Sequence, residues 1–134
     1  FVISGDKERI NIIANRQIAW CYALGRRLRD LDVLKNMESY ISLNEIESIK
    51  DHSNIPLSLL DLHSEDITVL HQDKQINDFQ QIQLNNTIVR LNDSMGMAER
   101  INNTELVLTC LKYLGENYEE TKQTKNKTFV VQFL

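Results

Sequence analysis

Histidine is the side chain best suited to catalysis or metal binding near neutral pH, and this sequence has three. They are His52, His63 and His71. His63 and His71 are eight residues apart, about two helical turns, so they can share a helix face without both reaching one metal ion. The i, i+4 histidine pair typical of helical zinc sites is absent. We therefore predict no metal site and no cofactor.

No combination of nucleophile, base and carboxylate in the sequence indicates an enzyme. Glu65 and Asp66 follow His63 closely, but adjacent residues on a helix point in different directions. Acidic neighbours such as Glu119 and Glu120 are expected by chance in a chain with 19 acidic residues. A glycine-rich phosphate loop and a nucleophile elbow are both absent. The prediction is a protein without catalytic residues.

A long stretch of neutral amides is the most unusual polar feature of the sequence. Between Asp78 and Asp93 the only charged side chain is that of Arg90. The other polar groups there are Gln80, Gln81, Gln83, Asn85, Asn86, Thr87 and Asn92. A solvated helix face normally carries more charge, so this composition favours a surface that faces other protein or a wet cavity. An exposed polar face of unusual composition is the alternative.

The elements that carry these residues are predicted to be helices. The 134 residues include only four glycines and one proline, Pro56, which suits long helices better than short strands with tight turns. We predict an all-α bundle of about four to five helices in residues 1–115. Residues 116–134 are predicted to be a polar tail or C-terminal segment.

The first helix is predicted over residues 6–29. Its apolar stripe at helical spacing consists of Ile10, Ile13, Ile18, Cys21, Leu24 and Leu28. Trp20 and Tyr22 lie off this stripe, so we expect a second face to be buried too. Cys21 and Cys110 are far apart in the sequence, and we predict two buried, reduced thiols.

Local signals place the later helices. Ser42 and Glu45 fit a capping box that opens a short helix to about Asp51. Pro56 suits the first turn of the next helix, predicted to end near Lys74. A further helix is predicted from about Ile76 to Asn102, with one apolar stripe formed by Leu84, Ile88, Leu91, Met95 and Ala98. A separate helix is predicted over 104–114, with Gly115 as its stop.

The charge of the chain is unevenly distributed. Residues 1–30 carry six basic and three acidic side chains, although the whole chain has a net charge of −4. The basic first helix could form an anion-handling surface or dock on its own acidic neighbours. Nucleic-acid binders are usually more basic overall, so we predict no nucleic-acid partner.

Two segments of the sequence match the patterns of one known protein family. Residues 16–29 read Arg-Gln-Ile-Ala-Trp-Cys-Tyr-Ala-Leu-Gly-Arg-Arg-Leu-Arg, which is similar to the family pattern of Arg, a spacer, Ile-Ala-Trp, Ala-Leu and a closing Leu-Arg. Residues 91–104 read Leu-Asn-Asp-Ser-Met-Gly-Met-Ala-Glu-Arg-Ile-Asn-Asn-Thr, which resembles the Gly-Gly-Cys-Glu-Arg-Ile signature and its following Asn-Thr. The Ile-Pro-Leu-Ser-Leu-Leu segment at 55–60 is also similar. With these segments the chain resembles the bestrophin-like anion channels, and the resemblance covers residues 9–104 in the expected order.

The resemblance also implies roles for particular residues. Bestrophin-like proteins are pentameric anion channels with a helical cytosolic part around the lower pore, which a narrow apolar aperture closes. Counting back from Gly96 places this aperture near Phe79, with Ile76 and Ile82 as rivals and Asn86 facing the vestibule. The family-signature residues are expected to be structural: Arg16, Trp20, Arg29, Gly96, Glu99, Arg100, Ile101 and Asn103. A Glu99–Arg ion pair is expected to fix helix packing.

The sequence departs from the family pattern in several places. Met97 and Ala98 replace the second Gly and the Cys of the signature, and Thr104 leads into Glu105 rather than into further membrane helices. No stretch reaches the about 18–20 apolar residues that a membrane helix needs. We therefore expect a soluble piece of a longer chain, at the cytoplasmic face of a membrane, that forms a homo-oligomer and handles chloride or other small anions. The alternative is a soluble helical interaction module without transport activity.

Overall fold

Four α-helices and one short 3-10 helix make up the computed structural model, which describes the backbone of residues 7–114. The helices are α1, Lys7–Leu28; α2, Leu43–Ile49; α3, Ile55–Gln72; and α4, Asp78–Leu114. The 3-10 helix, Met37–Ser39, lies between α1 and α2. No strand occurs among the described residues. The prediction of an all-α fold is confirmed, and no described helix has a stretch long and apolar enough to span a membrane.

The predicted helix starts for α2 and α3 are confirmed. The Ser42 hydroxyl accepts a hydrogen bond from the Glu45 amide at 3.3 Å, and the Glu45 carboxylate accepts one from the Ser42 amide at 3.2 Å. This capping box pairs amides that the helix itself cannot pair. Pro56 lies in the first turn of α3, where its missing N–H costs nothing, and the Asn54 side chain caps the Leu57 amide at 3.2 Å.

The prediction of two helices between Ile76 and Leu114 is wrong, because α4 runs without a break from Asp78 to Leu114. The segment around Asn102 contains neither Gly nor Pro to stop a helix. The Thr104 hydroxyl donates to the Arg100 carbonyl at 2.9 Å, a bond that a threonine makes inside a helix. The polar residues there therefore continue the helix, whereas the predicted stop at Gly115 lies outside the described residues.

The buried face of α1 differs from the predicted apolar stripe. The buried residues of α1 are Arg16, Ala19, Trp20 and Ala23. Ile18 is 50% exposed and Cys21 is exposed, so the prediction that Cys21 is buried is wrong. The Cys110 side chain is not described. The small alanines allow α1 to pack closely along α3, the helix with which it makes most of its contacts.

The chain divides into two compact units, and the boundary falls inside α4. Residues up to Asp93 form the first unit, and the second begins at Ser94. A hydrophobic cluster in the first unit joins α3 to α4 through Ile67, Leu70, Ile76 and Leu84, with Ile13 and Ile88 packed against it. The predicted boundary at residue 115 stays a prediction.

Candidate functional site

The first part of α4 carries an exposed face with large apolar side chains. Phe79 is 66% exposed and Ile82 is 58% exposed, and Val89 is exposed too. We call Phe79, Ile82, Asn86 and Val89 the outer face of α4. At 100° per residue, Phe79 and Asn86 point within about 20° of each other, and the buried Leu84 lies on the opposite side. The four side chains of the outer face are therefore uncharged and turned away from the core, and Arg90 lies one turn beyond Asn86 on the same side of the helix.

The start of α4 is fixed by side-chain hydrogen bonds. The Asn77 side-chain oxygen accepts a hydrogen bond from the backbone N–H of Gln80 at 2.8 Å. The Gln80 side-chain oxygen accepts one from the backbone N–H of Asn77 at 2.9 Å. His71, near the end of α3, contacts the Asp78 carboxylate at 2.6 Å. These contacts hold the first turn of α4, and with it the backbone that presents Phe79.

Ile76 does not belong to the outer face. It precedes α4, is only 5% exposed, and packs with Leu70 and Leu84 in the hydrophobic cluster. Its side-chain direction is set by the turn between α3 and α4 rather than by helical spacing. An aperture residue must reach an open pathway, so this burial removes Ile76 as an aperture candidate. Phe79 and Ile82 remain.

Arg16 is the buried centre of a polar cluster between three helices, and its two acidic partners are half-buried. The Arg16 side chain is only 5% exposed. The guanidinium donates to the Glu45 carboxylate of α2, with Nε at 2.9 Å from Oε1, and to the Asp66 carboxylate of α3. It also donates to the carbonyl of Leu62 at 3.3 Å. One planar cation therefore holds α1, α2 and α3 together through charge-assisted hydrogen bonds.

Two half-buried arginines of α1 also dock on the rest of the chain. Arg9 pairs with Asp73 at 3.1 Å, and Arg27 donates to the Ser53 carbonyl at 3.0 Å. With Arg16, these contacts show the basic helix docked on acidic and carbonyl groups of its own chain. Of the two interpretations of the charge asymmetry, the structure supports docking for these three arginines.

His63 is a buried imidazole beside the Arg16 cluster. Burial lowers the pKa of His63 to about 4, and the positive charge of Arg16 contributes to the shift. The carboxylates of Asp66 and Glu45 act in the opposite direction. The Nε2 atom is buried without a hydrogen-bond partner. The imidazole is therefore neutral at neutral pH and carries an unused hydrogen-bonding group.

The low pKa of His63 predicts a specific acid sensitivity. An unfolded histidine takes up its proton near pH 6.5, whereas folded His63 does so only near pH 4. Above pH 6.5 His63 is neutral in both the folded and the unfolded chain, and its titration does not affect stability. As the pH falls from 6.5 to 4, only the unfolded chain takes up this proton, so the folded state loses stability. The free energy of unfolding should fall by about 3 kcal/mol over this range because of His63. Urea unfolding measured at intervals between pH 7.5 and pH 4 provides the test.

Two leucine variants isolate this effect from the titration of other groups. His63→Leu should remove most of the pH-dependent loss, whereas His52→Leu, at an exposed position, should leave it unchanged. Identical pH profiles for the two variants would show that His63 is not the titrating group. The exposed control also corrects for any general effect of replacing a histidine.

Among the described residues, no three His, Cys, Asp or Glu side chains are arranged to hold a metal ion. His63 and His71 occupy different surroundings, since His63 is buried and His71 pairs with Asp78 at a half-buried position.

Sequence reasoning missed Glu45 and Asp66 as partners of Arg16. The only available signal was that a buried arginine requires a counter-charge.

A family model described as "Bacterial/Fungal Bestrophin protein" matches residues 3–109, most of the chain. The chain belongs to the bacterial/fungal bestrophin family. Bestrophins are an anion-channel family rather than an enzyme family. Neither a curated protein nor a solved structure gave a significant match.

The bestrophin signature in α1 has two buried members and one exposed member. Arg16 forms the polar cluster, and Trp20 is buried on the same face. Arg29, directly after the end of α1, is exposed and donates through Nε to the carbonyl of Gly25 in α1 at 2.9 Å. Arg16 and Trp20 thus lie where α1 meets the other helices, while Arg29 follows the end of α1.

The bestrophin signature in α4 lies in the second compact unit. Gly96 and Glu99 are half-buried, whereas Arg100, Ile101 and Asn103 are exposed. A Cβ atom at Gly96 would meet nothing within 4 Å, so packing inside the described part of the chain does not require glycine there. The expected Glu99–Arg pair stays a prediction.

Proposed function

We propose that this chain is the cytoplasmic part of a bestrophin-like anion channel and that the outer face of α4 lines the lower pathway for anions. In this proposal the chain assembles as a homo-oligomer, a pentamer by its resemblance to the family, and conducts chloride or other small anions. The observation that carries the proposal is the exposed, uncharged outer face, led by Phe79 at 66% exposure. The outer face lies within the residues that the family model matches, although the signature residues themselves lie elsewhere.

The chemistry of the outer face suits passage of an anion. Amide groups such as that of Asn86 offer weak, neutral hydrogen-bond donors, which can replace part of the hydration of an anion. A fixed positive charge would bind the anion more strongly and slow its release. The segment between Asp78 and Asp93 has one cation, Arg90, and otherwise neutral side chains.

Phe79 is the leading candidate for the apolar aperture, with Ile82 one turn away. Both side chains point out of the subunit, so a ring of either residue could form around an axis of symmetry. Asn86 follows two turns along the helix on the side of Phe79. A hydrophobic ring of this kind controls ion flow through the loss of water from a narrow apolar passage.

Phe79→Ala should change conduction without unfolding the protein. In the full-length protein reconstituted in lipid vesicles, removal of an aperture ring should increase chloride efflux or reduce the preference among halides. The Phe79 side chain is exposed, so the free energy of unfolding should change by less than about 1 kcal/mol. Efflux of chloride, bromide and iodide, measured against thermal unfolding of the same samples, gives both quantities.

Leu43→Ala is the matched control for this experiment. Leu43 is also a large exposed apolar side chain, but it lies on α2 and outside the outer face. Efflux should respond to Phe79→Ala and not to Leu43→Ala. Equal responses, or no response to Phe79→Ala and Ile82→Ala, would contradict the aperture assignment.

The exposed apolar residues also favour a second candidate, a helical interaction module without transport. Phe79, Ile82 and Val89 could equally contact a protein partner, because aromatic and aliphatic side chains are common at the centre of interfaces. This candidate predicts no anion efflux from vesicles containing the full-length protein. The two functions are therefore separated by the same measurement.

A further inference from the structure

A largely apolar cavity lies between α1, α3 and α4 in the first compact unit. Its volume is about 600 Å³, within the range of small-molecule binding sites. Its apolar lining includes Ile13, Ile67, Leu70, Leu84, Ile88 and Leu91. The cavity lies on the core side of α4, opposite the outer face, and is therefore separate from the proposed anion pathway.

Three polar side chains also line this cavity: Gln17, His63 and Thr87. The Thr87 hydroxyl already donates to the carbonyl of Gln83 at 3.0 Å. His63 differs, because its Nε2 atom is buried and has no partner. An unpaired polar atom in a buried position is unfavourable, and rotation of the imidazole, which lines the cavity, can bring Nε2 to a ligand there.

The surrounding charges limit the kind of ligand. Arg16 is occupied by two carboxylates, those of Glu45 and Asp66, so the cluster beside His63 has an excess of negative charge. The pKa of His63 is lowered to about 4, so its imidazole offers no positive charge at neutral pH. An anionic head group would lose its hydration in this apolar cavity without a cation that is not already paired, which costs more than burying a neutral group.

We propose that this cavity binds a neutral, mainly apolar small molecule with one hydrogen-bonding group, and that His63 pairs with that group. The apolar lining supplies most of the affinity, as area removed from water. His63 supplies the preference for a molecule with a hydroxyl over the corresponding hydrocarbon. Nothing in this site depends on the proposed channel function.

Three related probes test the proposal on the full chain at pH 7.5, by titration calorimetry. They are 1-naphthol, naphthalene and 1-naphthoate, which share one ring system and differ in a hydroxyl or a charge. We expect saturable binding of 1-naphthol at one site, about 2- to 10-fold tighter than naphthalene for one neutral hydrogen bond. We expect 1-naphthoate to bind more weakly than both.

Two tryptophan variants locate the site. Ala14 lines the cavity and is exposed, so Ala14→Trp should block the opening and weaken 1-naphthol binding by at least about tenfold. Asn15→Trp, at the next and also exposed position outside the lining, should bind 1-naphthol as the unmodified chain does. Absence of saturable binding, or equal weakening by both variants, would overturn the proposal.

The role of His63 has its own readout. In His63→Leu the affinities for 1-naphthol and naphthalene should become nearly equal, because the hydrogen-bonding atom is gone while the volume is similar. A preference for 1-naphthol that persists in this variant would overturn the assignment to His63. If His63→Leu does not fold, the test is the ratio of the affinities for 1-naphthol and naphthalene in the unmodified chain. A ratio near one would also overturn the assignment to His63.

Discussion

Arg16→Ala is expected to lower the free energy of unfolding by about 3–5 kcal/mol, the range found when a buried ion pair loses one partner. Arg16 is nearly inaccessible to solvent and joins Glu45 of α2 to Asp66 of α3. Removing it leaves two carboxylates close together without their cation and leaves the Leu62 carbonyl without this donor. Urea unfolding at pH 7, followed by the helical circular dichroism signal, measures the loss.

Arg9→Ala is the matched control, because Arg9 lies on the same helix and pairs with Asp73, the residue that follows α3. The Arg9–Asp73 pair is solvent-accessible on both sides, so its loss should cost only about 0.2–1 kcal/mol. Arg16→Lys should recover only part of the stability, because an ammonium group cannot reproduce the planar fork that serves both carboxylates. Equal losses for Arg9→Ala and Arg16→Ala would contradict a structural role for the buried cluster.

The helices themselves could be predicted from sequence because their signals are local. The capping box at Ser42 and the proline at position 56 act within one turn, and the structure contains both. The end of a helix at Asn102 was predicted wrongly for the same reason. Polar residues without Gly or Pro weaken a helix only slightly, and α4 continues through them.

The orientation of α1 could not be predicted from hydrophobic spacing. The stripe through Ile18 and Cys21 is more apolar than the face that is buried, which contains Arg16 and two alanines. Hydrophobicity alone assigns an arginine to the surface, but Arg16 finds its counter-charges on helices distant in sequence. Long-range ion pairing and close packing at alanines decided the orientation, and neither has a local signal.

The candidate site was predictable only where helical spacing applies. Phe79, Ile82 and Asn86 lie on α4, so their shared exposure follows from one helix with a buried opposite side. Ile76 lies in the turn before α4, where side-chain direction depends on how α3 and α4 are joined. The cavity beside His63 likewise arises from three helices that no short motif brings together.

Trp20→Ala should also destabilise the chain by about 3–5 kcal/mol, the usual loss for a buried aromatic side chain. Trp20 is 6% exposed and lies on the face of α1 between the fully buried Ala19 and Ala23. Neighbouring side chains rarely fill a space of that size, so the variant loses both apolar burial and packing contacts. The free energy of unfolding from urea titration at pH 7 tests this expectation.

Two further variants separate packing from other roles of Trp20. Ile18→Ala removes an apolar side chain that is half exposed on the same helix, so it should cost much less than Trp20→Ala. Trp20→Phe should retain most of the stability, because the indole N–H is buried without a partner and its removal loses no hydrogen bond. A loss below about 1 kcal/mol for Trp20→Ala would contradict burial of the ring in the core and point instead to a surface or subunit contact.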